Sequence, residues 1–287
     1  MAGAREVVVL SGKGGAGKTA VTAAFAALAQ NAVLVDADVD AANLALLLQA
    51  EESEQHALAG RPQAVIDRAQ CTGCGACRRV CRFAAISTGF MVDVLSCEGC
   101  GYCRRVCPAT AISMHESTSS TWYRAATPCG PLFHARLAPG GENSGKLVQT
   151  VRSAARALAA EVGRTLILID GPPGMGCPVM ASLSQTQLAV LVVEPGRAAR
   201  HDADRVLALA AHMRVPVVLL LNKYGLTAAQ ETEAWAQSRQ LPVAGRIPFD
   251  ERVAVALAAG NNPLTAAAVA EAFQAAWQQV TRQLPCG

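Results

Sequence analysis

Eight cysteines fall in two runs, Cys71-x2-Cys74-x2-Cys77-x3-Cys81 and Cys97-x2-Cys100-x2-Cys103-x3-Cys107. Thiolates spaced this closely are soft ligands that can close around zinc or an iron–sulfur cluster. A second set of chemistry-bearing residues lies upstream. Gly12-Lys13-Gly14-Gly15-Ala16-Gly17-Lys18-Thr19 fits G-x4-G-K-[ST], and it follows an apolar strand and opens a helix. Such a loop aims backbone N–H groups at phosphates where a helix N-terminus adds partial positive charge. On that reading residues 12–20, ending with Ala20, surround the phosphates. Lys18 contacts the β- and γ-phosphates and the Thr19 hydroxyl binds Mg²⁺. The other reading of the same residues is a glycine turn in a Rossmann-like fold.

The cysteine segment is an internal repeat. Cys71-Thr-Gly-Cys-Gly-Ala-Cys-Arg-Arg-Val-Cys returns at Cys97 as Cys-Glu-Gly-Cys-Gly-Tyr-Cys-Arg-Arg-Val-Cys, followed by Pro108. This spacing resembles the bacterial two-cluster ferredoxins, in which the fourth cysteine of each run ligates the other cluster. The resemblance implies one [4Fe–4S] cluster on Cys71, Cys74, Cys77 and Cys107, and a second on Cys97, Cys100, Cys103 and Cys81. Zinc fits eight cysteines in this duplicated spacing badly. Arg82 stands where the pattern has proline, a departure that removes no ligand. Arg78, Arg79, Arg82, Arg104 and Arg105 either balance anionic clusters or receive an acidic partner.

Lys13 places the phosphate loop in a narrower class. A second lysine early in the loop resembles the deviant Walker A proteins, which include the MinD/Mrp ATPases and the nitrogenase iron protein. Val35-Asp36-Ala37-Asp38-Val39-Asp40-Ala41-Ala42-Asn43-Leu44 is similar to their switch I, and Asp170-Gly171-Pro172-Pro173-Gly174 to their Walker B and switch II segment. The resemblance implies that Asp170 and Asp38 serve Mg²⁺, that Asp38 orients the attacking water, and that Lys13 reaches the phosphates of a partner subunit, so hydrolysis needs a homodimer. Lys13, Lys18 and Asp38 form the expected catalytic set. The other reading of Asp36 and Asp40 is as loop caps. Asn222-Lys223-Tyr224-Gly225 resembles the GTPase N-K-x-D, but Gly225 offers no carboxylate to guanine, so Asn222 is expected to meet adenine. Ile247-Pro248-Phe249-Asp250 is either an adenine-covering loop, with Pro248 against the base, or a plain turn capped by Asp250.

The elements that must hold these groups read as an interrupted α/β domain. Strands are expected at 6–10, 32–36, 165–170, 188–194, 217–222 and 243–247, with helices at 18–30, 146–162, 200–213 and 227–239 and two Ala-rich helices at the end. Buried apolar strands alternating with helices predict an α/β P-loop fold, a mainly parallel sheet covered on both faces. The stretch at 51–54 reads as a polar linker, 62–116 as the inserted ferredoxin-like α+β module, and 117–139 as a hairpin leading back. The domains are therefore 1–61, 62–116 and 117–287. Asn143 or Ser144 would cap the helix that follows.

Bulk properties narrow the function classes. The chain has 287 residues, 52% hydrophobic and 16% charged, with a net charge of +3 that gives no ground for nucleic-acid or membrane binding. Its apolar runs are strand-length, the start is too short for a signal-peptide core, and the cysteines suit a reducing cytoplasm. Residues 266–284 are rich in Ala and Gln with Arg282 as the one basic residue, unlike a membrane-binding amphipathic helix, which argues against a MinD-like positioning role. Three cysteines stand outside the runs. Cys177 lies seven residues past Asp170, where the nitrogenase iron protein has an interfacial cluster ligand; the other reading is a small buried thiol. Cys129 and Cys286 carry no motif, and His134 reads as structural or surface. The expectation is a Mg-ATP-dependent dimeric ATPase passing electrons through two [4Fe–4S] clusters to a redox partner. The alternative is an iron–sulfur carrier, against which stands the lack of a C-terminal C-x2-C.

Overall fold

The computed structural model describes residues 3–137 and 144–284. The strands are β1 (Arg5–Ser11), β2 (Ala32–Asp36), β3 (Glu51–Ile66), β4 (Ile112–Ala126), β5 (Leu132–Leu137), β6 (Leu166–Pro173), β7 (Leu188–Val193), β8 (Val217–Tyr224) and β9 (Val243–Pro248). The helices are α1 (Lys18–Leu28), α2 (Leu44–Leu47), α3 (Ala76–Val80), α4 (Tyr102–Arg105), α5 (Ser144–Val162), α6 (Cys177–Leu183), α7 (Arg197–His212), α8 (Ala229–Ser238), α9 (Glu251–Ala258) and α10 (Ala267–Gln283). The described residues divide into two compact units. One holds 3–55, 122–136 and 144–284; the other holds 56–121 with residue 137.

The sheet runs in the order β3-β4-β5-β2-β6-β1-β7-β8-β9, and of β3 and β4 the first unit holds residues 51–55 and 122–126. From β5 to β9 every neighbouring pair is parallel. Strands such as Val7–Leu10 and Ile167–Ile169 are buried along their whole length, as a sheet covered on both sides requires. Alternate residues serve the two faces. Val7, Val9, Leu34, Leu168, Val190 and Leu220 pack with α1 and α10, where Phe25 meets Trp277 at 4.9 Å between ring centres. The opposite face is covered by α5, α6 and α7. Parallel β1, flanked by β6 and β7, therefore delivers its C-terminal end and the following loop to the middle of one sheet edge.

A buried charge network fixes that strand. Glu6 of β1 is 3% exposed and pairs with Arg152 and Arg156 of α5, while Arg152 also donates to the Ser184 carbonyl at 2.8 Å. Two expectations change here. Residues 51–54 are the start of β3, not a linker, with side chains that reach outward: Ser53 Oγ donates to Arg124 O at 3.1 Å, and Arg124 pairs with Glu54 at 2.9 Å. An exposed strand carries polar side chains without losing its backbone hydrogen bonds, so composition alone misled. Helix α6 was also unforeseen, being only 7 residues long. The C-terminal α10 turns Val269, Phe273, Ala276, Trp277 and Val280 into the core. Among the described residues no helix is long and apolar enough to cross a membrane.

The second unit keeps its own small core of Ala64, Cys77, Ile86 and Ile112, with Phe90, Val92 and Met114 against it. Its two halves repeat in backbone as well as in sequence. Gly73, Gly75, Gly99 and Gly101 all take positive φ, between 64° and 72°. Ala84 and Thr110, 26 positions apart, share φ near 50°. Each half starts from an aspartate: Cys71 N donates to Asp67 O and Cys97 N to Asp93 O, both at 3.0 Å.

Candidate nucleotide and cysteine sites

The loop after β1 is shaped by two close approaches. A Cβ on Gly12 would stand 2.6 Å from the Asp202 Cβ, and one on Gly17 would stand 2.2 Å from Asn222 Nδ2. Gly17 also has φ of 90°, a conformation that side chains rarely adopt. The loop carbonyls are tied back from behind. Ser11 Oγ donates to Lys13 O, Lys223 Nζ to Gly15 O, and Asn222 Nδ2 to Ala16 O, each at 2.8 Å. With the carbonyls engaged there, the start of α1 is open to an anion.

Around that helix start lies a cleft lined by Gly14, Gly15, Gly17, Lys18, Thr19 and Ala20. Asp38 and Asp40 complete its polar side, and its free space is about 2100 Å³ with the open mouth included. Lys18 is 6% exposed and faces inward, its Nζ 3.0 Å from Asp170 Oδ1 and 3.3 Å from Asp38 Oδ2. Burial opposes the charge on Lys18, but Asp170, Asp38 and Asp36 outweigh it and raise its pKa. Burial raises Asp38, with Lys18 pulling the other way. Thr22 Oγ donates to Asp170 Oδ1 at 2.9 Å, whereas Asp170 Oδ2 is buried without a partner. A buried carboxylate oxygen left unpaired near Asp38 and the Thr19 hydroxyl is a donor set that fits Mg²⁺, directly or through water.

Asp36 is the loop cap. It lies opposite Asp170 in the β2–β6 register and is fully buried, accepting from Asp38 N at 3.1 Å and Leu44 N at 3.0 Å. Burial and then the charge of Asp170 push its pKa well up. It thereby fixes the loop that carries Asp38. Asp40 lines the cleft.

Other expected residues stand elsewhere. Lys13 does not line the cleft; its Nζ pairs with Glu194 at 2.7 Å. One N–H of the Asn222 amide is given to Ala16 O, and neither Asn222 nor Pro248, exposed at the end of β9, lines the cleft. Asp250 caps α9, accepting from Arg252 N at 2.9 Å. Cys177 is exposed at the first position of α6, so it is not the buried thiol that its small size suggests. Cys129 is half-buried against the core and burial raises its thiol pKa; Cys286 and Asn143 lie outside the described residues. His134 is structural: 1% exposed, stacked on Tyr123 at 5.0 Å, its Nε2 3.7 Å from Glu52. Sequence reading missed Glu194, Lys223 and Thr22. The available signal for Glu194 was a charged residue closing an apolar parallel strand.

In the second unit the eight cysteines divide between two cavities. Cys71, Cys74, Cys77 and Cys107 line one. Cys81, Cys97, Cys100 and Cys103 line the other. Among the described residues no group of three or more His, Cys, Asp or Glu side chains is placed to hold a single metal ion. Each cysteine set instead borders an apolar space. Burial, and then neighbouring cysteines, raise Cys77 and Cys103, while the Ala76 N–H lowers exposed Cys74. Four thiols around each of two cavities fit a multi-iron cluster by donor chemistry. Arg78, Arg79, Arg82, Arg104 and Arg105 are all exposed.

Known proteins match this architecture. An uncharacterized protein of Methanocaldococcus jannaschii is 34% identical over 224 residues, 77% of this chain and 79% of that one. The fold is similar to the cell division ATPase MinD of Pyrococcus furiosus, with TM-score 0.60 and 18% identity over 97% of this chain and 98% of that one. It is likewise similar to the septum site-determining protein MinD of Pyrococcus horikoshii, a structure complexed with Mg-ADP (TM-score 0.58, 18% identity, 96% of each chain). The family described as the CobQ/CobB/MinD/ParA nucleotide binding domain matches residues 7–264, so a fold with a glycine loop, an inward lysine and converging acids belongs, in this chain, to that family.

Proposed function

We propose that this chain is a Mg-ATP-dependent ATPase, active as an ATP-bound homodimer, that gates electron transfer through two [4Fe–4S] clusters to a redox partner protein. One observation carries the redox half: each cavity takes three cysteines from one run and the fourth from the other. That crossed division is the one two four-iron clusters use. The clusters, when bound, supply one-electron steps.

For the ATPase half, Thr19, Asp38 and Asp170 are the residues that would hold Mg²⁺, which when bound offsets charge on the phosphates. Lys18 leaves its two carboxylates for the β- and γ-phosphates. Asp38, released from Lys18, orients the attacking water, and Asp36 keeps the Asp38 backbone in place. Lys13 contacts the nucleotide of the second copy. Adenine is the base proposed, since Gly225 gives guanine no carboxylate; Pro248 is its proposed neighbour, and Asn222 acts on the loop through Ala16. The proposed setting is a reducing cytoplasm.

The test is anaerobic loading with iron and sulfide, then reduction, addition of Mg-ATP and EPR, with a one-electron acceptor in one arm and an apo-ferredoxin in the other. About eight irons per chain and a nucleotide-dependent change in reoxidation by an acceptor are expected. Stable binding of zinc in place of iron, or loss of the clusters to the apo-ferredoxin, would sink the electron-transfer reading. The second of those outcomes is the carrier's signature.

A further inference from the structure

Glu194 follows β7 beside the phosphate loop, with a side chain only 16% exposed. One carboxylate oxygen takes Lys13 Nζ and the other takes Lys223 Nζ, both at 2.7 Å. The two lysines are not equivalent. Lys223 is also bound to the Gly15 carbonyl, whereas Lys13 is 42% exposed and has Glu194 as its ion-pair partner. Asp202 adds to the negative field on Lys13. Thus, within one copy, Lys13 is held back from the cleft by a contact that sits behind the loop.

We propose that Glu194 is a latch for Lys13, a positioning residue that keeps this lysine in its own copy until a second copy offers a nucleotide phosphate in exchange. This rests on the reading of Lys13 as a lysine that acts across the dimer. The exchange breaks one ion pair per copy and forms one lysine–phosphate contact. Stripping a largely buried carboxylate of its partner is ordinarily costly. Here Lys223 stays, so Glu194 never loses its counter-ion, and only the partly exposed half of the network moves. The latch therefore opposes premature dimerisation weakly, by the small amount a partly exposed ion pair contributes.

Glu194→Gln removes the charge while keeping the size and an acceptor for Lys223. With Mg and a non-hydrolysable ATP analogue, sedimentation velocity on the full chain is expected to show tighter dimerisation. The gain should be about two- to fivefold per copy, or about four- to 25-fold for the symmetric dimer. That gain must vanish when Lys13→Ala is added, because a merely structural role for Glu194 would not depend on Lys13. Unchanged or weaker dimerisation in Glu194→Gln, or a gain that survives Lys13→Ala, overturns the latch. If the Gln variant folds poorly, Glu194→Asp keeps the charge at a longer reach and must give a smaller gain of the same sign. Lys13→Ala alone is read separately: dimerisation and hydrolysis at the unmodified level would end the trans-acting lysine itself, whatever Glu194 does.

Discussion

At the scale of single residues, the informative surprise is Asn222. Its amide is committed to the Ala16 carbonyl, and its neighbour Lys223 to that of Gly15. The pair thus sets the loop's backbone, which every nucleotide would feel alike. Asn222→Ala leaves a buried carbonyl without its donor, a change of about 1–3 kcal/mol. We expect ATP, GTP and inorganic triphosphate to lose affinity by similar factors, roughly five- to 150-fold, when measured by calorimetry. A loss confined to ATP would instead return Asn222 to adenine recognition. Local motifs such as Gly12–Thr19 and the cysteine runs were legible because their meaning lies in spacing within a few residues. The Glu194–Lys13 pair was not, since it joins positions 181 apart that only the β1–β7 pairing brings together.

Among elements, the clearest dependence on charge is the attachment of α8. Glu233 of α8 accepts from the Tyr224 hydroxyl of β8 at 2.6 Å and from Arg246 Nε of β9 at 3.1 Å. Arg246, then Tyr224, lower the Glu233 pKa from 4.5 to about 2. A carboxylate whose folded-state pKa is depressed stabilises fully above its unfolded value and loses that contribution as pH falls toward the folded one. Glu233→Gln is therefore expected to lower stability by about 1 kcal/mol at pH 7. The gap in melting temperature should hold down to about pH 5 and close below 4.5, as thermal scans across pH would show. A gap that widens in acid would contradict the assignment. The parallel core strands were readable from their apolar runs, because burial on both faces leaves little room for polar residues. The start of β3 was not, because Glu51, Glu52 and Glu54 are exposed on a strand at the sheet's margin, where Glu52 pairs with Arg136 and Glu54 with Arg124. The short α6 hid behind Gly176-Cys177-Pro178, a sequence that reads as a turn until Pro178 is recognised in the helix's first turn.

For the molecule as a whole, the duplicated spacing predicts a separate module at 62–116, and the described residues form a second unit over 56–121 with residue 137. What it could not reveal is how the first unit closes around the interruption. Ser53 and Arg124, and Glu54 and Arg124, join the departing and returning strands one step before the chain leaves the first unit. The two ends of the excursion are thus already spliced together by the first unit's own side chains. The 56–121 segment is therefore expected to behave as a cassette, although β3 and β4 both run on across its ends. Replacing it with a short Gly-Ser turn should yield a chain that still binds Mg-ATP but takes up no iron on anaerobic loading, with nucleotide affinity within a few-fold of the parent. A shortened chain that fails to fold would show that host and cassette have become mutually dependent. If it folds, a gain or loss of the cassette in a single event becomes a physically easy passage between a plain phosphate-binding protein and a thiol-bearing one.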